Sequence, residues 1–170
     1  PNMRRSAKAV NFGIVYGISA FSLSKDIGVS VAEAKAYMEQ YFAKYQGVKR
    51  YMEEVVERAK ETGYVETLYH RRRALPELKS SNFNLRSFGE RVALNMPIQG
   101  TAADIMKLAM VRVWERLRRE VPDAKLVLQI HDELIVESPE KSAQAVQAVL
   151  QEEMMNAAKL RVPLIAEAHS

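Results

Sequence analysis

The 170 residues contain no cysteine, which excludes disulfides and thiolate metal sites and is compatible with a reducing cytosol. Glycine and proline are sparse, at seven and six, too few for a linker or a low-complexity chain. No apolar run approaches the ~20 residues that a membrane helix needs. The opening Pro1-Asn2-Met3-Arg4-Arg5 has no apolar stretch behind its basic residues, so it does not read as a signal peptide. There is no internal repeat. What is present is the balance of a soluble globular chain, 48% hydrophobic and 27% charged, long enough for one domain or two small ones.

The net charge of +4 says little alone, but its placement says more. Arg4, Arg5 and Lys8 cluster at the start, and Arg71-Arg72-Arg73 form a run in the middle. Such clusters suit phosphate partners, and they equally suit solvated surface.

The first third reads as helices. One spans 3–16, with Asn2 as N-cap and Gly17 as terminator. A second spans 21–27. A third runs from the Ser30–Glu33 capping box to about 45. Gly47 breaks the pattern, and a fourth helix covers 48–61 and stops at Gly63. Residues 64–69 are rich in β-formers and predict a strand, with 71–78 returning as its partner and Pro76 suiting an edge. A long helix follows over 84–120, with a kink or break at Pro97. Strands at 125–130 and 134–137 flank a tight turn at His131-Asp132-Glu133. Residues 140–158 read as a helix and 163–168 as a last short strand. Helices packed on a small antiparallel sheet give an α+β class.

Three groups of residues stand out. Arg4, Lys8, Phe12 and Tyr16 recur every fourth residue, so they share an arc of roughly 120° on one helix. Met3, Ala7, Val10 and Ile14 occupy a separate apolar arc. Two cations followed by two rings match the order of a nucleotide: phosphates first, then sugar and base. An ordinary amphipathic helix would look the same. The His131-Asp132-Glu133 turn lacks the glycine that tight hairpins favour, although it joins two apolar strands and so looks buried. Function can set such a choice, and so can a charged surface turn. Arg91, Asn95 and Gln99 again repeat by four. Their donors can reach the minor-groove acceptors common to A·T and G·C pairs, testing pair shape without reading sequence. Solvated amides on a helix face are the plainer alternative.

Taken in order, these motifs resemble family A DNA polymerases. Arg4-x-x-x-Lys8-x-x-x-Phe12-x-x-x-Tyr16-Gly17 is similar to the family's O helix. The likeness continues through Gly63 to Leu68, Arg71 to Arg73, Asn95 to Asp104 and Gln129 to Glu133, over almost the whole chain. Five motifs in family order are specific.

The resemblance implies a fingers portion over 1–85 and a palm portion over 86–170. It implies DNA-directed synthesis from dNTPs on primer–template DNA. Lys8 would contact the triphosphate and act as a general acid, Arg4 would hold the outer phosphates, Phe12 would pack on sugar and base, and Tyr16 would sit at the template base. Arg91, Asn95 and Gln99 would read the minor groove, Arg73 would contact the DNA backbone, and His131 the primer end. Asp132 would ligate metal with Glu133 as an auxiliary acid, in a site for two Mg²⁺ ions whose second protein ligand lies outside this chain. The chain contains no Asp-Tyr-Ser-Gln-like segment, so it reads as a fragment that is inactive alone. The resemblance further implies a monomer, cytoplasmic and nucleoid-associated, with no membrane partner. His70 departs from the glycine many relatives carry before the arginine run, which leaves the local turn geometry open. A non-catalytic DNA-binding module and a reverse-transcriptase-like or RNA-synthesising enzyme on the related single-subunit plan are the rival readings; an intact Lys8 and Asp132 argue against the first.

Overall fold

A computed structural model describes residues 2–170, apart from the side chains of residues 2, 3, 5 and 6. The expected cap at Asn2 and the place of Met3 in the apolar arc therefore lie outside the described side chains. Two compact units divide the chain, Pro1–Gly100 and Thr101–Ser170.

The first unit begins with helices α1 (Asn2–Val15), α2 (Ala20–Ile27), α3 (Val31–Lys44) and α4 (Gln46–Thr62). Gly17, at φ 77°, ends α1. Its N–H donates to Ile14 O at 2.9 Å, and that of Ile18 to Gly13 O at 2.8 Å, the paired bonds of a Schellman stop. Ser30 and Glu33 close the capping box of α3 reciprocally. The break expected at Gly47 falls instead at Tyr45, whose φ of −114° and ψ of 60° leave the helical region. Gly47 lies within the first turn of α4, where the early N–H groups need no intrahelical acceptor.

Strands β1 (Tyr64–Glu66) and β2 (Arg72–Ala74) pair antiparallel, with Val65 opposite Arg73. They are shorter than the pattern predicts, because Thr67 to Arg71 close on themselves as a turn. Pro76 does not extend β2; it opens a 3₁₀ turn, Pro76–Lys79. Helix α5 (Phe83–Glu120) continues through Pro97, so the break allowed there does not occur. Ala59, Val65, Leu75, Leu78, Ala93 and Met96 form the core here, drawn from α4, the hairpin and α5. At about 25 cal/mol per Å², burying such side chains contributes roughly 1.5–3 kcal/mol for each large one.

In the second unit, β3 (Lys125–Ile130) and β4 (Glu133–Glu137) pair antiparallel, and α6 (Ala143–Met155) follows a 3₁₀ turn, Glu140–Ser142. Val113, Leu117 and Val121 of α5 and its end pack against Val146 and Val149 of α6. Arg116 ties the same helices by donating to Glu152 at 2.6 Å and Glu153 at 3.2 Å. The strand expected at 163–168 does not form: no ladder partner faces it among the described residues, and extended chain without one is not a strand. The class is α+β, mostly helical, with two separate two-stranded sheets among the described residues.

Candidate nucleic-acid interface

Helix α1 presents Arg4, Lys8 and Phe12 to solvent, with Phe12 52% exposed. Its apolar arc is covered only toward the C-terminal end: Ile14 is fully buried, Val10 partly, and Ala7 is exposed. The Lys8 ammonium lies 5.9 Å from the centre of the Phe12 ring, and that ring lies 6.3 Å from Tyr16, tilted by 33°. Tyr16 in turn accepts a 2.6 Å hydrogen bond on Oη from Gln99 Nε2 of α5. A cation, two rings and an amide thus form one continuous row, whose last member belongs to the group of Arg91, Asn95 and Gln99.

The approach of α1 to α5 is fixed by glycine. A Cβ on Gly17 would stand 2.9 Å from Leu94 Cδ1 and 3.5 Å from Arg91 Cγ, and the positive φ would strain any side chain there. Leu94 is buried, while Arg91, Asn95 and Gln99 stay exposed beside it. Arg91 Nη1 is held by Ser87 Oγ at 3.1 Å. Asn95 is exposed, and among the described residues it makes no hydrogen bond to the α1 row.

The arginine run separates into three tasks. Arg71 Nη2 donates to Gly100 O at 2.9 Å. Arg72 Nε donates to Glu66 at 3.2 Å and its guanidinium covers the Tyr64 ring at 4.5 Å. The hydrogen bond from Arg72, and then His70, holds the Glu66 carboxyl below its ordinary value against some desolvation. Arg73 alone of the three has no such internal tether among the described residues, and it is exposed on β2. His70 keeps a φ of 62°, the conformation a glycine would adopt, with its Nδ1 3.5 Å from Glu66. The departure from glycine therefore leaves a left-handed turn in place.

Sequence reasoning missed the clamp on this hairpin. Thr67 is buried, and its Oγ1 accepts from Tyr69 N and Arg71 N, both at 3.2 Å. A Cβ on Gly100 would meet Thr67 Cγ2 at 2.7 Å. The usable signal was the glycine following Gln99, since close backbone approach is a standard reason for one.

In the second unit, Ile130 pairs with Glu133, so the turn has two residues, His131 and Asp132, and Glu133 belongs to β4. His131 has φ 52°. The turn is exposed rather than buried as its apolar flanks suggested, and Val127, Leu128, Ile130 and Ile135 are themselves at least 41% exposed. Gln129 Nε2 donates to His131 O at 2.7 Å, a support that the sequence did not reveal. Asp132 and Glu133 border a cavity of about 390 Å³, closed on other sides by Leu150 and Met154 of α6 and by Ile165, Glu167 and His169.

The donor set suits a hard cation. Exposed carboxylates at a tip offer oxygen to Mg²⁺, which keeps several waters and needs few protein ligands. Among the described residues no three His, Cys, Asp or Glu converge to hold a metal ion by themselves. No helix among the described residues is long and apolar enough to cross a membrane.

Comparison with known proteins shows the family. The family profile described as DNA polymerase family A matches residues 1–170. The chain is 54% identical over 169 residues to DNA polymerase I of Bacillus caldotenax, covering 99% of the chain and 19% of that protein. It is 53% identical over 162 residues to DNA polymerase I of Bacillus subtilis, covering 95% of the chain and 18% of that protein. A solved structure, the POL domain of Pol1 from M. smegmatis in complex with DNA primer-template and dNTP, superposes with a TM-score of 0.92 at 44% identity. That match covers 96% of this chain and 29% of the other. The chain thus spans about a fifth of the length of the curated relatives it matches.

Proposed function

This chain belongs to DNA polymerase family A, and from that premise we propose that it supplies the nucleotide-facing helix, the minor-groove readers and one metal-binding turn of a template-directed DNA polymerase. The observation that carries the reading is the row from Lys8 through Phe12 and Tyr16 to Gln99. It joins a phosphate-binding cation, ring faces for sugar and base, and a groove-reading amide. The relative solved with primer-template and dNTP supports it.

In this reading residues 1–85 are a fingers portion and 86–170 a palm portion. Arg4 and Lys8 hold the triphosphate, Arg by its fork and Lys as a point charge. Lys8 also donates a proton toward the pyrophosphate oxygen as it leaves. Phe12 packs on the deoxyribose and base, and Tyr16 meets the template base. Donors on Arg91, Asn95 and Gln99 contact purine N3 and pyrimidine O2, which a mispair displaces. Arg73 contacts the DNA backbone and His131 orients the primer end. Asp132, with Glu133 beside it, would hold Mg²⁺ together with a carboxylate from outside these 170 residues. When bound, the two ions supply Lewis-acid stabilisation of the reacting phosphate and favour the ionised primer hydroxyl. A module that only binds DNA needs neither Lys8 nor Asp132. The protein acts as one copy per primer–template, in the nucleoid.

Two measurements test this. The purified 170-residue chain, supplied with Mg²⁺ and dNTPs, gives no template-dependent primer extension; clear extension free of contaminating polymerase would overturn the fragment reading. In the whole polymerase, Phe12→Tyr lowers discrimination against dideoxynucleotides. A normal substrate's 3′-hydroxyl can bond its own phosphate oxygens, a Phe ring cannot replace that donor, and a Tyr hydroxyl can. Such a bond to a charged oxygen contributes about 1.5–3 kcal/mol, roughly ten- to a hundredfold in the dNTP/ddNTP ratio of kcat/KM. An unchanged ratio would mean that Phe12 does not face the sugar.

A further inference from the structure

Two of the proposed groove readers, Asn95 and Gln99, stand on the weakest stretch of α5. Pro97 lies between them and has no N–H to give the Ala93 carbonyl, and Gly100 follows Gln99 directly. Proline and glycine are the poorest helix formers. The β1–β2 hairpin meets α5 at this point. Arg71 Nη2 donates to Gly100 O at 2.9 Å, from 29 positions away in the chain. Thr67 packs so closely that a Cβ on Gly100 would stand 2.7 Å from its Cγ2, and 3.4 Å from Arg71 Nη2. The same threonine holds the turn that carries Arg71, accepting from Tyr69 N and Arg71 N at 3.2 Å. A helix carbonyl next to a reader is therefore pinned by a side chain from outside the helix, and that side chain is itself held in place.

Four residues separate Asn95 from Gln99, about 6 Å along the axis, a little under two base-pair steps of about 3.4 Å. Both can bond successive pairs only while the local pitch is held, because a shift of about 0.5 Å takes a hydrogen bond out of its range. Resting on the polymerase reading above, we propose that Arg71 is a positioning residue for Gln99. Its bond to the neighbouring carbonyl fixes α5 where Pro97 and Gly100 weaken it, and so sets how sharply Gln99 distinguishes a matched pair from a mispair. Arg71 then acts on the reader's backbone, whereas the role proposed for Arg73 is contact with the DNA itself. One hydrogen bond biases such an equilibrium about two- to tenfold, which is the ceiling on what Arg71 contributes to discrimination.

The test uses the whole polymerase and primer–templates with one mispair, placed in turn at the first to the fourth base pair from the primer end. Single-turnover extension of matched and mispaired primers gives a discrimination ratio for each position. Gln99→Ala lowers the ratio at the pairs that Gln99 reads. Arg71→Met keeps the stem and removes the donors. It lowers the ratio at those same pairs by about two- to tenfold, leaves matched extension and dNTP affinity near normal, and adds nothing in the Gln99→Ala background. Arg71→Lys keeps a donor and restores part of the ratio. Gly100→Ala reaches the same end from the other side, since its Cβ displaces Thr67 and Arg71. It carries the test if thermal melting shows that Arg71→Met does not fold. An unchanged ratio in Arg71→Met would overturn the proposal. So would a loss that persists beside Gln99→Ala, or an equal loss at all four positions, because Arg71 would then touch a phosphate or merely support the fold. If Gln99→Ala lowers the ratio and Arg71→Met does not, the polymerase reading stands and only the positioning role falls; if Gln99→Ala lowers nothing, Gln99 is no reader and both fall.

Discussion

At the tip of the β1–β2 hairpin His70 has a φ of 62°, and at the tip of β3–β4 His131 has a φ of 52°. The two turns hold the same unfavourable conformation by opposite means. The first is tied down from within: the buried Thr67 hydroxyl accepts two backbone N–H groups, Arg71 reaches Gly100, and Glu66 answers both His70 and Arg72. The second has one side-chain bond, from Gln129, and leaves Asp132 and Glu133 exposed. A turn whose polar groups are satisfied locally needs nothing else to keep its shape. The carboxylates of the second turn are left to solvent, free to meet the metal proposed for them.

The largest break in this contrast is Asp132→Ala in the whole polymerase. Loss of a carboxylate that holds a catalytic metal forfeits several kcal/mol of transition-state stabilisation, a thousandfold or more in rate at about 1.4 kcal/mol per decade. Single-turnover kinetics should show this with primer–template affinity nearly intact. Near-normal turnover would remove Asp132 from the metal site.

Thr67→Val sharpens the other side. Valine keeps the shape and strips two amides of their acceptor, which costs about 1–3 kcal/mol. Hydrogen exchange in the hairpin amides should rise accordingly, whereas no single substitution at the exposed β3–β4 tip should change exchange in its strands as much.

Smaller again is glycine at each histidine. A side chain in the left-handed region costs roughly 1–2 kcal/mol, which His131→Gly recovers almost whole as local stability while losing the primer-end contact proposed for it. His70→Gly also gives up the Glu66 contact, so its gain should be less. Equal gains at the two positions, read by hydrogen exchange, would erase the distinction between them.

The smallest effect is acidic pH on the first hairpin. The Glu66 carboxyl lies below its ordinary 4.5, chiefly through the Arg72 hydrogen bond. A depressed folded pKa means that its contribution is complete above about 4.5 and is lost as pH falls through the lowered value. Glu66→Gln should flatten that dependence in hydrogen exchange measured from pH 6 down to pH 3. A slope that survives the substitution would assign it to another group.

Much of this was legible beforehand because it is local. Helix periodicity, the Ser30–Glu33 box, the glycine stops at 17 and 63, and the strand pair around His131-Asp132 follow from neighbours in the chain. What was not legible depends on distant partners. The terminal segment 163–168 carries strand-forming residues, but strands are made by ladders, and its composition cannot say whether one exists. The turn at His131 looked buried because its flanks are apolar, yet exposure depends on what covers them. Arg71, Arg72 and Arg73 look alike as letters, and only Gly100 and Glu66, far or folded back, show that two of the three are tethers. The row that joins Phe12 and Tyr16 to Gln99 crosses a similar gap. Its members were each picked out by spacing, but the contact itself was not foreseeable from spacing.

That contact has a logical consequence. The Gln99 amide carries two hydrogens, and one is directed at the Tyr16 phenol across 83 positions of chain. A phenol that leaves strips the amide of that acceptor; an amide that turns away leaves the phenol to find another donor. A ligand that takes the place of either partner therefore leaves the other to water, at a net cost of about 0.5–1.5 kcal/mol, and that small sum is the most by which the end of the first helix and the middle of the fifth can sense one another through this bond.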